Sequence, residues 1–418
     1  MNQRRNPVDD FLHHLADEYA AEIVWAMLML IALVMRLEII PRMQSDDYYM
    51  FLEPWCKTFA SMSFREGMAV EVTNYYVPYT LLLNVIAHLP LPYYILICLT
   101  SCFFDFITAF FVIKLVRFLL QGGKQEFTLI NLSSPEALSG TYLSEEEIRN
   151  RAGICGMALL FLPFVFLNSA VWGQCDSIYT AFAIMSLTYL LRGKNHKAFL
   201  LFGVALSFKL QAIFFLPFFL YYYFAKKRCS ILHFLYIPAV YLAAGLPAIF
   251  CGRSPLDTYL VYRLQVTHDT DSVTRNMPNL YSFGLADYYV LKTAGILIAA
   301  AVFFAAFLWV LKGRERLDLK NLMLLCLWTL LTAVMFLPGM HERYDYPSSL
   351  LLSVFALAYR EKKILLCALL VNLIDLMTYC SFLFYTTLLP PDLLVLPYLF
   401  VYLQVTLKLR HVLLDREV

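Results

Sequence analysis

Apolar residues occur along this chain in long runs that are separated by short charged segments and by prolines. Because a helix that spans a bilayer needs roughly 20 predominantly apolar residues, we interpret ten of these runs as membrane crossings. They lie at 21–40, 93–119, 151–170, 177–191, 231–250, 285–311, 320–338, 347–359, 364–389 and 391–408. The pattern predicts an all-α fold, a polytopic bundle of transmembrane helices.

Three shorter apolar runs predict further membrane segments that are not full crossings. The runs 198–208 and 210–224 lie between basic clusters, which favours a broken hairpin. The run 77–89 is bracketed by prolines and is short for a crossing, so a re-entrant or interfacial piece fits it better. The whole bundle is therefore predicted to contain about 10–13 membrane segments.

The basic residues between the runs indicate how the bundle is oriented, because short cytoplasmic loops of membrane proteins are enriched in Lys and Arg. With a cytoplasmic N-terminus and ten crossings, 23 of the 33 Lys and Arg residues fall on the cytoplasmic side. Seven fall outside, and three (Arg36, Lys209 and Lys292) lie within apolar runs. Both termini are therefore predicted to be cytoplasmic. A full crossing at 77–89 would instead place the basic clusters outside.

We expect one integral membrane domain over residues 1–418 and no separate soluble domain. Ser144 and Glu147 form a capping-box pattern at the start of the helix that leads into the crossing at 151–170. The predicted parts are a cytoplasmic N-terminal segment at 1–20, a first extracytoplasmic loop with interfacial and re-entrant helices at 41–92, a cytoplasmic loop at 120–150 and a second extracytoplasmic loop at 251–284.

Composition excludes several classes of protein. The 418 residues are 61% hydrophobic and 15% charged, whereas soluble domains are about 25% charged, so a water-exposed fold is excluded. The 33 basic and 31 acidic residues are too balanced to indicate a nucleic acid as partner. Ten cysteines are scattered without the spacing of a metal site or a disulfide framework. The polar N-terminus predicts no cleavable secretory signal.

The first outer loop begins with two adjacent carboxylates, Asp46 and Asp47, directly after the first crossing. This is the position at which a membrane-borne substrate meets water, although solvated acids in an aromatic belt are the simpler alternative. Apolar residues then recur at a spacing of three or four, which predicts an amphipathic helix in the interface. These residues are Phe51, Trp55, Phe59 and Met62.

A tight outer turn follows the crossing at 151–170 and carries three different polar groups. Trp172, Gln174 and Asp176 place an indole, an amide and a carboxylate within five residues. A sugar needs a ring face for stacking and paired groups for hydroxyl hydrogen bonds, so this turn is a candidate sugar site. The alternatives are a belt residue for Trp172 and a helix cap for Asp176.

Charged residues inside the apolar runs need a partner or a cavity, because an isolated charge in a membrane is costly. Lys209 interrupts the stretch 198–224 and predicts such a cavity or counter-charge, with snorkelling to the interface as the alternative. Asp105 and Asp375 are intramembrane acids for which structural hydrogen bonding within the bundle is the simpler explanation.

The last candidate, His341-Glu342-Arg343, lies at an outer boundary between two crossings. An arginine can bind a phosphate with two parallel hydrogen bonds, and a histidine beside it can exchange a proton near neutral pH. A glutamate between them can orient either side chain. The alternative is an ordinary charged turn.

Taken in order, these motifs resemble the GT-C class of membrane glycosyltransferases, in particular the prokaryotic group related to the mannosyltransferase that adds the second mannose of GPI anchors. The resemblance covers roughly residues 20–350. The chain departs from the pattern at Asp46, where a small residue is expected, and at Val77, where relatives often carry a second proline. The motifs are Ser45-x-Asp47-Tyr48, Trp55, Asn74-Tyr75-x-x-Pro78-Tyr79, Asn168-Ser169-x-x-Trp172-Gly173-Gln174-x-Asp176-Ser177, Pro278-Asn279-Leu280 and His341-Glu342-Arg343-Tyr344.

The resemblance implies a GT-C-like fold and a sugar transfer on the extracytoplasmic face of the cell membrane. The sugar, mannose or another hexose, would move from a polyprenyl-phosphate-linked donor to a glycan, lipid or protein acceptor. The substrate-binding residues that it implies are Trp172, Gln174, Asp176, Asn74, Tyr75 and Asn279. Those implied for the donor phosphate are Arg343, His341, Glu342 and Lys209.

The chemistry of such a transfer fits these residue types. The acceptor hydroxyl loses its proton as it attacks the anomeric carbon, so a positioned carboxylate serves as general base. We expect this to be Asp47 rather than Asp46, because Asp47 keeps the family spacing to Tyr48 and Trp55. Preorganised cations stabilise the charge on the departing phosphate. A base and a leaving group on opposite faces of the sugar give inversion. The residues demand neither a metal nor another cofactor.

Two other classes of function remain as alternatives. A transporter or lipid flippase would also be polytopic, but such proteins often show internal repeats and ionisable residues at the midplane. Here no repeat is visible, and the charged candidates gather in outer loops. The second alternative is a membrane acyltransferase or a non-catalytic lipid-binding scaffold.

The predicted orientation can be tested with reporter fusions. Fusions after Gly122 and after Arg410 should both report a cytoplasmic location, because the basic clusters place both positions inside. The measurement is the activity of paired reporters that work on only one side of the membrane. A signal from outside at either position would overturn the orientation, together with the re-entrant assignment of 77–89.

Overall fold

The computed structural model describes residues 6–122, 143–268, 272–284 and 288–415, and it is built almost wholly of helices. The α-helices are α1 Pro7–Ile39, α2 Glu53–Ala60, α3 Phe64–Ala69, α4 Val77–Ala87, α5 Tyr93–Leu120, α6 Glu145–Phe161, α7 Pro163–Phe166, α8 Asp176–Leu191, α9 Asn195–Phe208, α10 Leu216–Lys226, α11 Tyr236–Cys251, α12 Pro255–Tyr259, α13 Val261–His268, α14 Tyr288–Gly313, α15 Leu319–Phe336, α16 Tyr346–Tyr359, α17 Lys362–Leu383 and α18 Pro391–Leu414.

Shorter elements connect these helices. Two π-helical turns, Tyr48–Leu52 and Leu167–Trp172, lie directly before α2 and after α7. The 3₁₀ turns are Leu210–Phe215, Ile231–Leu235, Leu280–Phe283 and Arg314–Arg316. Two strands of two residues each, β1 Thr274–Arg275 and β2 Met340–His341, pair in parallel.

The described residues include seven helices that are long and apolar enough to cross a membrane. They are α1, α5, α11 with the turn before it, α14, α15, α17 and α18. An eighth crossing results if α6 and Pro163–Trp172, which are bent by 53°, form one broken span. This architecture confirms the predicted all-α, polytopic bundle.

Two of the ten predicted crossings correspond to shorter helices. The runs 177–191 and 347–359 form α8 and α16, which contain 16 and 14 residues. Both are almost entirely buried by other helices, and α8 packs against α5 and α9. Because their surroundings are protein, these helices do not need the length of a span that faces lipid.

The first helix begins well before the predicted crossing at 21–40. Asn6 caps it by accepting a hydrogen bond from the backbone N–H of Val8, and Pro7 occupies the first turn. Asp9 and Asp10 lie in that turn, where carboxylates interact favourably with the helix dipole. The polar segment therefore extends the helix rather than preceding it.

The predicted broken hairpin over 198–224 is confirmed as a helix, a break and a second helix. Helix α9 ends at Phe208, Lys209 is extended, and α10 begins at Leu216 after a 3₁₀ turn. Leu191, just before α9, and Lys226, the last residue of α10, line one cleft. Both ends of this unit therefore lie at the same end of the bundle, and its break reaches the opposite end.

The first outer loop contains a helix where the apolar spacing predicts one, formed by the π-helical turn Tyr48–Leu52 and α2. Leu52, Cys56 and Phe59 are buried against the bundle, whereas Phe51 is exposed.

The predicted cytoplasmic loop 120–150 lies largely outside the described residues. Its last part begins α6, where the hydroxyl of Ser144 accepts a hydrogen bond of 3.1 Å from the backbone N–H of Glu147, as the sequence predicts. Further along α6, Gly156 packs against α5 so closely that an added Cβ would lie 2.5 Å from a side-chain carbon of Ile113. Small residues allow such close approach between membrane helices.

Candidate active site

The carboxylate of Asp47 accepts two hydrogen bonds from the turn before α8. The indole Nε1 of Trp172 donates to Asp47 Oδ2 at 2.7 Å, and Nε2 of Gln174 donates to the same oxygen at 2.8 Å. The Asp47 side chain remains 16% exposed. One carboxylate oxygen is therefore fixed by the protein, and the side chain still reaches the surface.

The two hydrogen-bond donors to Asp47 belong to a turn that depends on a π-helix and on a residue in the left-handed conformation. The π-helical turn Leu167–Trp172 ends at Gly173, whose φ of 69° favours glycine. The backbone N–H of Gln174 then returns to the carbonyl of Asn168 at 3.1 Å. Insertions of this kind re-aim side chains and are frequent at functional sites.

Side chains from neighbouring segments fix the backbone of this turn. Tyr94 donates to the carbonyl of Val171 at 2.7 Å, and Ser101 donates to the carbonyl of Gln174 at 2.8 Å. The Ser45 hydroxyl, two residues before Asp47, donates to the carbonyl of Trp172 at 3.1 Å. The loop that carries Asp47 is therefore also bound to the backbone of the turn that carries Trp172 and Gln174.

A fully buried ion pair lies behind the π-helical turn. Arg36 on α1 donates to Asp105 on α5 through Nε at 3.2 Å and Nη2 at 3.0 Å. Ser169, within the π-helical turn, donates to the same carboxylate at 2.6 Å, and Tyr346 donates to its other oxygen at 3.3 Å. This confirms structural hydrogen bonding for Asp105, with Arg36 as its counter-charge.

Asp176 is completely buried and has cationic neighbours on both sides. Lys209, in the break between α9 and α10, donates to Asp176 Oδ1 at 2.6 Å. Asn168 donates to Asp176 Oδ2 at 3.2 Å, and Nε of Arg343 lies 3.7 Å from that oxygen. The counter-charge predicted for Lys209 is therefore Asp176.

The His341-Glu342-Arg343 segment is positioned by the short parallel sheet. β2 pairs with β1 so that His341 lies opposite Arg275, and the backbone N–H of Glu342 donates to the carbonyl of Arg275 at 3.0 Å. The loop after α13 therefore holds the turn between α15 and α16 in place.

Arg343 lies among three carboxylates without a hydrogen bond to any of them. Its Nη1 is 3.8 Å from Asp47 Oδ2 and 3.6 Å from Glu342 Oε1, and its Nε is 3.7 Å from Asp176. These distances exceed those of normal hydrogen bonds, and Nε has no hydrogen-bond partner among the residues that the structure describes. The guanidinium is charge-compensated, yet it keeps donor capacity for a ligand.

Burial and neighbouring charges change the pKa values of Glu342 and Arg343. Burial raises the pKa of Glu342 to about 7, although neighbouring Arg343 opposes the shift. Burial acts to lower the pKa of Arg343, but Asp47, Glu342 and Asp176 outweigh it, and the pKa is raised. Arg343 is thus charged at any physiological pH, whereas Glu342 changes its charge near neutrality.

The two adjacent aspartates diverge, because consecutive side chains point in different directions on a regular backbone. Asp46 is exposed and accepts a hydrogen bond from the hydroxyl of Tyr385, whereas Asp47 points toward Trp172. Trp172 differs from the expectation of a ring face for sugar stacking, because its ring is fully buried, stacks on Phe382 and lies under the guanidinium of Arg343. Its contribution here is the hydrogen bond to Asp47.

The other predicted substrate-binding residues occupy different surroundings. Tyr75 is close enough to Arg343 and Asp176 to interact with both charges, and Asn74 beside it is exposed. Asn279 is buried, and its amide is bound by the carbonyl of Val334 and by the N–H of Tyr281, so it shapes a turn. The ring of His341 lies 4.9 Å from that of Tyr344.

Some residues of the site are not apparent from the sequence. Tyr379 on α17 accepts a hydrogen bond from Asn168 at 3.2 Å and packs edge-on against Trp172, but nothing in its apolar run distinguishes it. The sequence shows that Arg36 and Asp105 are charged residues inside predicted crossings, but it does not show that they form an ion pair with each other. Over the described part of the chain, no three His, Cys, Asp or Glu side chains come together in a group that could hold a metal ion.

The fold and this site define a multi-pass membrane protein with a carboxylate and an arginine at one end of its helix bundle. The family model of glycosyltransferase family 87 matches residues 73–338. Because this is more than half of the chain, the protein belongs to glycosyltransferase family 87 and is a glycosyltransferase. A comparison with curated proteins found no match. Asp47 and Arg343 lie outside the matched residues, so the family match assigns neither of them a role.

The raised pKa of Glu342 predicts a pH-dependent stability. Because folding raises this pKa from 4.5 to about 7, the folded state binds the proton more tightly than the unfolded state. The contribution of protonated Glu342 to the free energy of unfolding is therefore complete below about pH 4.5 and is lost as pH rises through 7. Glu342→Gln cannot ionise, so its unfolding temperature relative to that of the wild type should rise by a few degrees between pH 5 and pH 8.

The measurement is thermal unfolding of the detergent-purified protein over this pH range. Glu146→Gln serves as the control, because Glu146 is exposed and lies at the start of α6. A constant difference between Glu342→Gln and the wild type across the range would contradict the assignment.

Proposed function

We propose that this glycosyltransferase moves a hexose, mannose or a similar sugar, from a polyprenyl-phosphate-linked donor to an acceptor hydroxyl on the extracytoplasmic face of the membrane. The observation that carries this proposal is the Asp47–Arg343 pair. A hydrogen-bonded carboxylate lies 3.8 Å from a guanidinium with unused donors. The carboxylate can accept a proton from the acceptor hydroxyl, and the guanidinium can bind the phosphate of the sugar donor.

Asp47 acts in this proposal as the general base. Trp172 and Gln174 bind one of its oxygens, which orients the carboxylate and leaves it the capacity to accept a proton from the acceptor hydroxyl. As the proton leaves, the hydroxyl oxygen attacks the anomeric carbon, and the bond from that carbon to the phosphate oxygen breaks.

Arg343 binds the phosphate of the donor. Charge-assisted hydrogen bonds to a phosphate are strong, and the planar guanidinium can form two of them in parallel. The phosphate gains negative charge as it departs, and a fixed cation stabilises that charge without reorganising. Lys209 forms the close ion pair with buried Asp176 at 2.6 Å, whereas Nε of Arg343 lies 3.7 Å from that carboxylate.

In this proposal the acceptor hydroxyl and the phosphate lie on opposite faces of the sugar during the reaction. A single displacement of this kind inverts the anomeric configuration. The phosphate is a good leaving group without protonation, so the reaction needs no general acid.

The distribution of basic residues supports an extracytoplasmic position of the site. The start of α9 and the end of α10 are basic, as is typical of cytoplasmic ends, whereas the break between these helices, at Lys209, lies at the site.

The base assignment predicts different effects for the two adjacent aspartates. Asp47→Asn should reduce sugar transfer by about 10²–10⁴-fold, because a general base contributes that much, while donor binding persists. Asp46→Asn should cost far less, since Asp46 faces solvent and Tyr385. The measurement is turnover by the purified protein with a polyprenyl-phosphate-linked hexose, together with donor binding and the anomeric configuration of the product.

Each outcome of this experiment separates the parts of the proposal. An active Asp47→Asn with an inactive Asp46→Asn would reverse the assignment of the base. Activity in both variants would remove the base from this loop. A wild-type protein that uses only nucleotide-linked sugars would overturn the polyprenyl-phosphate donor, and retained configuration would overturn the single displacement.

A second prediction concerns the arginine. Arg343→Lys keeps a positive charge but loses the planar fork, so the affinity for the donor should fall by about tenfold or more, and Arg343→Ala should fall further. The measurement is donor binding by both variants. Matched control variants are Arg65→Lys and Arg65→Ala, because Arg65 lies exposed on α3. Donor affinity equal to that of the wild type in both Arg343 variants would remove Arg343 from the phosphate site.

A further inference from the structure

A second polar cleft lies at the end of the bundle opposite Asp47 and Arg343. Helix α15 connects the two regions: Leu319 at its start lines the cleft, and Phe336 at its end lies seven residues before Arg343. Eighteen helical residues rise about 27 Å, close to the thickness of the hydrocarbon core of a bilayer. The cleft and the candidate active site therefore face opposite sides of the membrane.

The cleft consists of two adjoining cavities that share Lys226 and Arg228. The first has a volume of about 310 Å³ and the second about 290 Å³. Both lie between the end of α10 and the turn Arg314–Arg316, with the start of α15 beside them. Together they can hold a small polar group and part of an attached chain.

The second cavity is strongly basic. Its ionisable lining is Lys226, Lys227, Arg228, Arg314 and Glu315, which is four cations against one carboxylate. Glu315 lies 3.2 Å from Nε of Arg314 and compensates one of these charges. Lys227 adopts a left-handed conformation with φ of 52° and ends α10, which turns the chain back so that Arg228 lines the same cavity.

The first cavity adds an apolar wall to this basic rim. Leu119, Leu191, Leu317 and Leu322 line it together with Lys226 and Arg228. Asp318 and Lys320 also line this cavity: Asp318 caps α15, and Lys320 pairs with Glu361 at 2.8 Å. Beside the cleft, Phe224 and Leu311 expose 44% and 38% of their surface. An apolar surface thus continues from the basic rim onto the outside of the bundle.

We propose that this cleft binds the phosphate group of an anionic phospholipid from the leaflet opposite the active site. A topology signal requires only that basic residues lie on one side, whereas these residues line a cavity together. The phosphate would bind Lys226, Lys227, Arg228 and Arg314, and an acyl chain would pack along the exposed Phe224 and Leu311. Basic pockets between membrane helices on this side recognise anionic head groups by the same chemistry.

The exposed apolar residues beside the cleft favour a lipid over a soluble phosphate compound. A free phosphate gains nothing from Phe224 and Leu311, whereas a phospholipid can pack an acyl chain on them while its phosphate binds the basic rim. This site is separate from the proposed donor site, because its groups lie one helix length from Arg343. The inference does not depend on the identity of the sugar donor.

The test measures lipid binding by native mass spectrometry of the full-length protein in detergent, without donor or acceptor. Dioleoylphosphatidylglycerol is compared with dioleoylphosphatidylcholine, which has the same chains and no net charge. The variant Lys226→Gln/Lys227→Gln/Arg228→Gln removes the basic rim. The control Lys312→Gln/Lys362→Gln/Lys363→Gln removes three exposed cations at the same end that do not line the cleft.

The expected result is a preference of the wild type for the anionic lipid and a loss of about tenfold or more in the rim variant. A Lys or Arg near an anionic lipid contributes about fivefold, so Lys227→Gln alone should show about that loss. The control variant should retain the wild-type affinity. Equal binding of both lipids by the wild type, or equal losses in rim and control variants, would overturn the proposal.

Competition by inorganic pyrophosphate distinguishes a phospholipid head group from a soluble phosphate compound as the occupant of the cleft. It should compete for the cleft only at concentrations far above those of the lipid, because it lacks acyl chains. Binding of pyrophosphate as tight as that of phosphatidylglycerol, with loss in the same rim variant, would overturn the lipid as occupant.

Discussion

The two hydrogen bonds that Trp172 and Gln174 donate to one oxygen of Asp47 are the interaction on which the rest of the site depends. They connect segments 125 and 127 residues apart and define the position of the carboxylate relative to Arg343. The turn that supplies them needs the π-helical insertion and Gly173, and Asp105 binds that insertion through Ser169. A buried ion pair within the bundle thereby supports the geometry of a site at its surface.

Charge compensation is the second constraint on this arrangement. An unpaired charge inside a membrane protein is costly, and here both Lys209 and Arg343 have carboxylate neighbours. Lys209 binds Asp176 closely, whereas Arg343 stays beyond hydrogen-bond distance of three carboxylates. This asymmetry separates a close structural ion pair from a cation that retains donor capacity. Lys209 makes its contact with Asp176 from the extended residue between α9 and the following 3₁₀ turn.

Much of the fold follows from the sequence, because the length of an apolar run and its flanking charges determine a crossing locally. The break at Lys209 was predictable for this reason. The divergence of Asp46 from Asp47 was predictable from local geometry, because consecutive side chains point in different directions. The partner of Lys209, the burial of Trp172 and the role of Tyr379 were not, since each depends on packing between distant segments. The π-helical turns at Tyr48–Leu52 and Leu167–Trp172 were not predicted either, because the spacing of apolar residues does not encode such an insertion.

If Trp172 acts on sugar transfer through Asp47, a double-mutant cycle on turnover will show strong coupling between the two residues. Trp172→Phe keeps an aromatic ring against Phe382 and removes the N–H donor. We expect turnover to fall by about tenfold or more in the wild-type background, as for the loss of a hydrogen bond to a charged group, and to change little in the Asp47→Asn background. The same fold-loss in both backgrounds would show that Trp172 acts independently of Asp47.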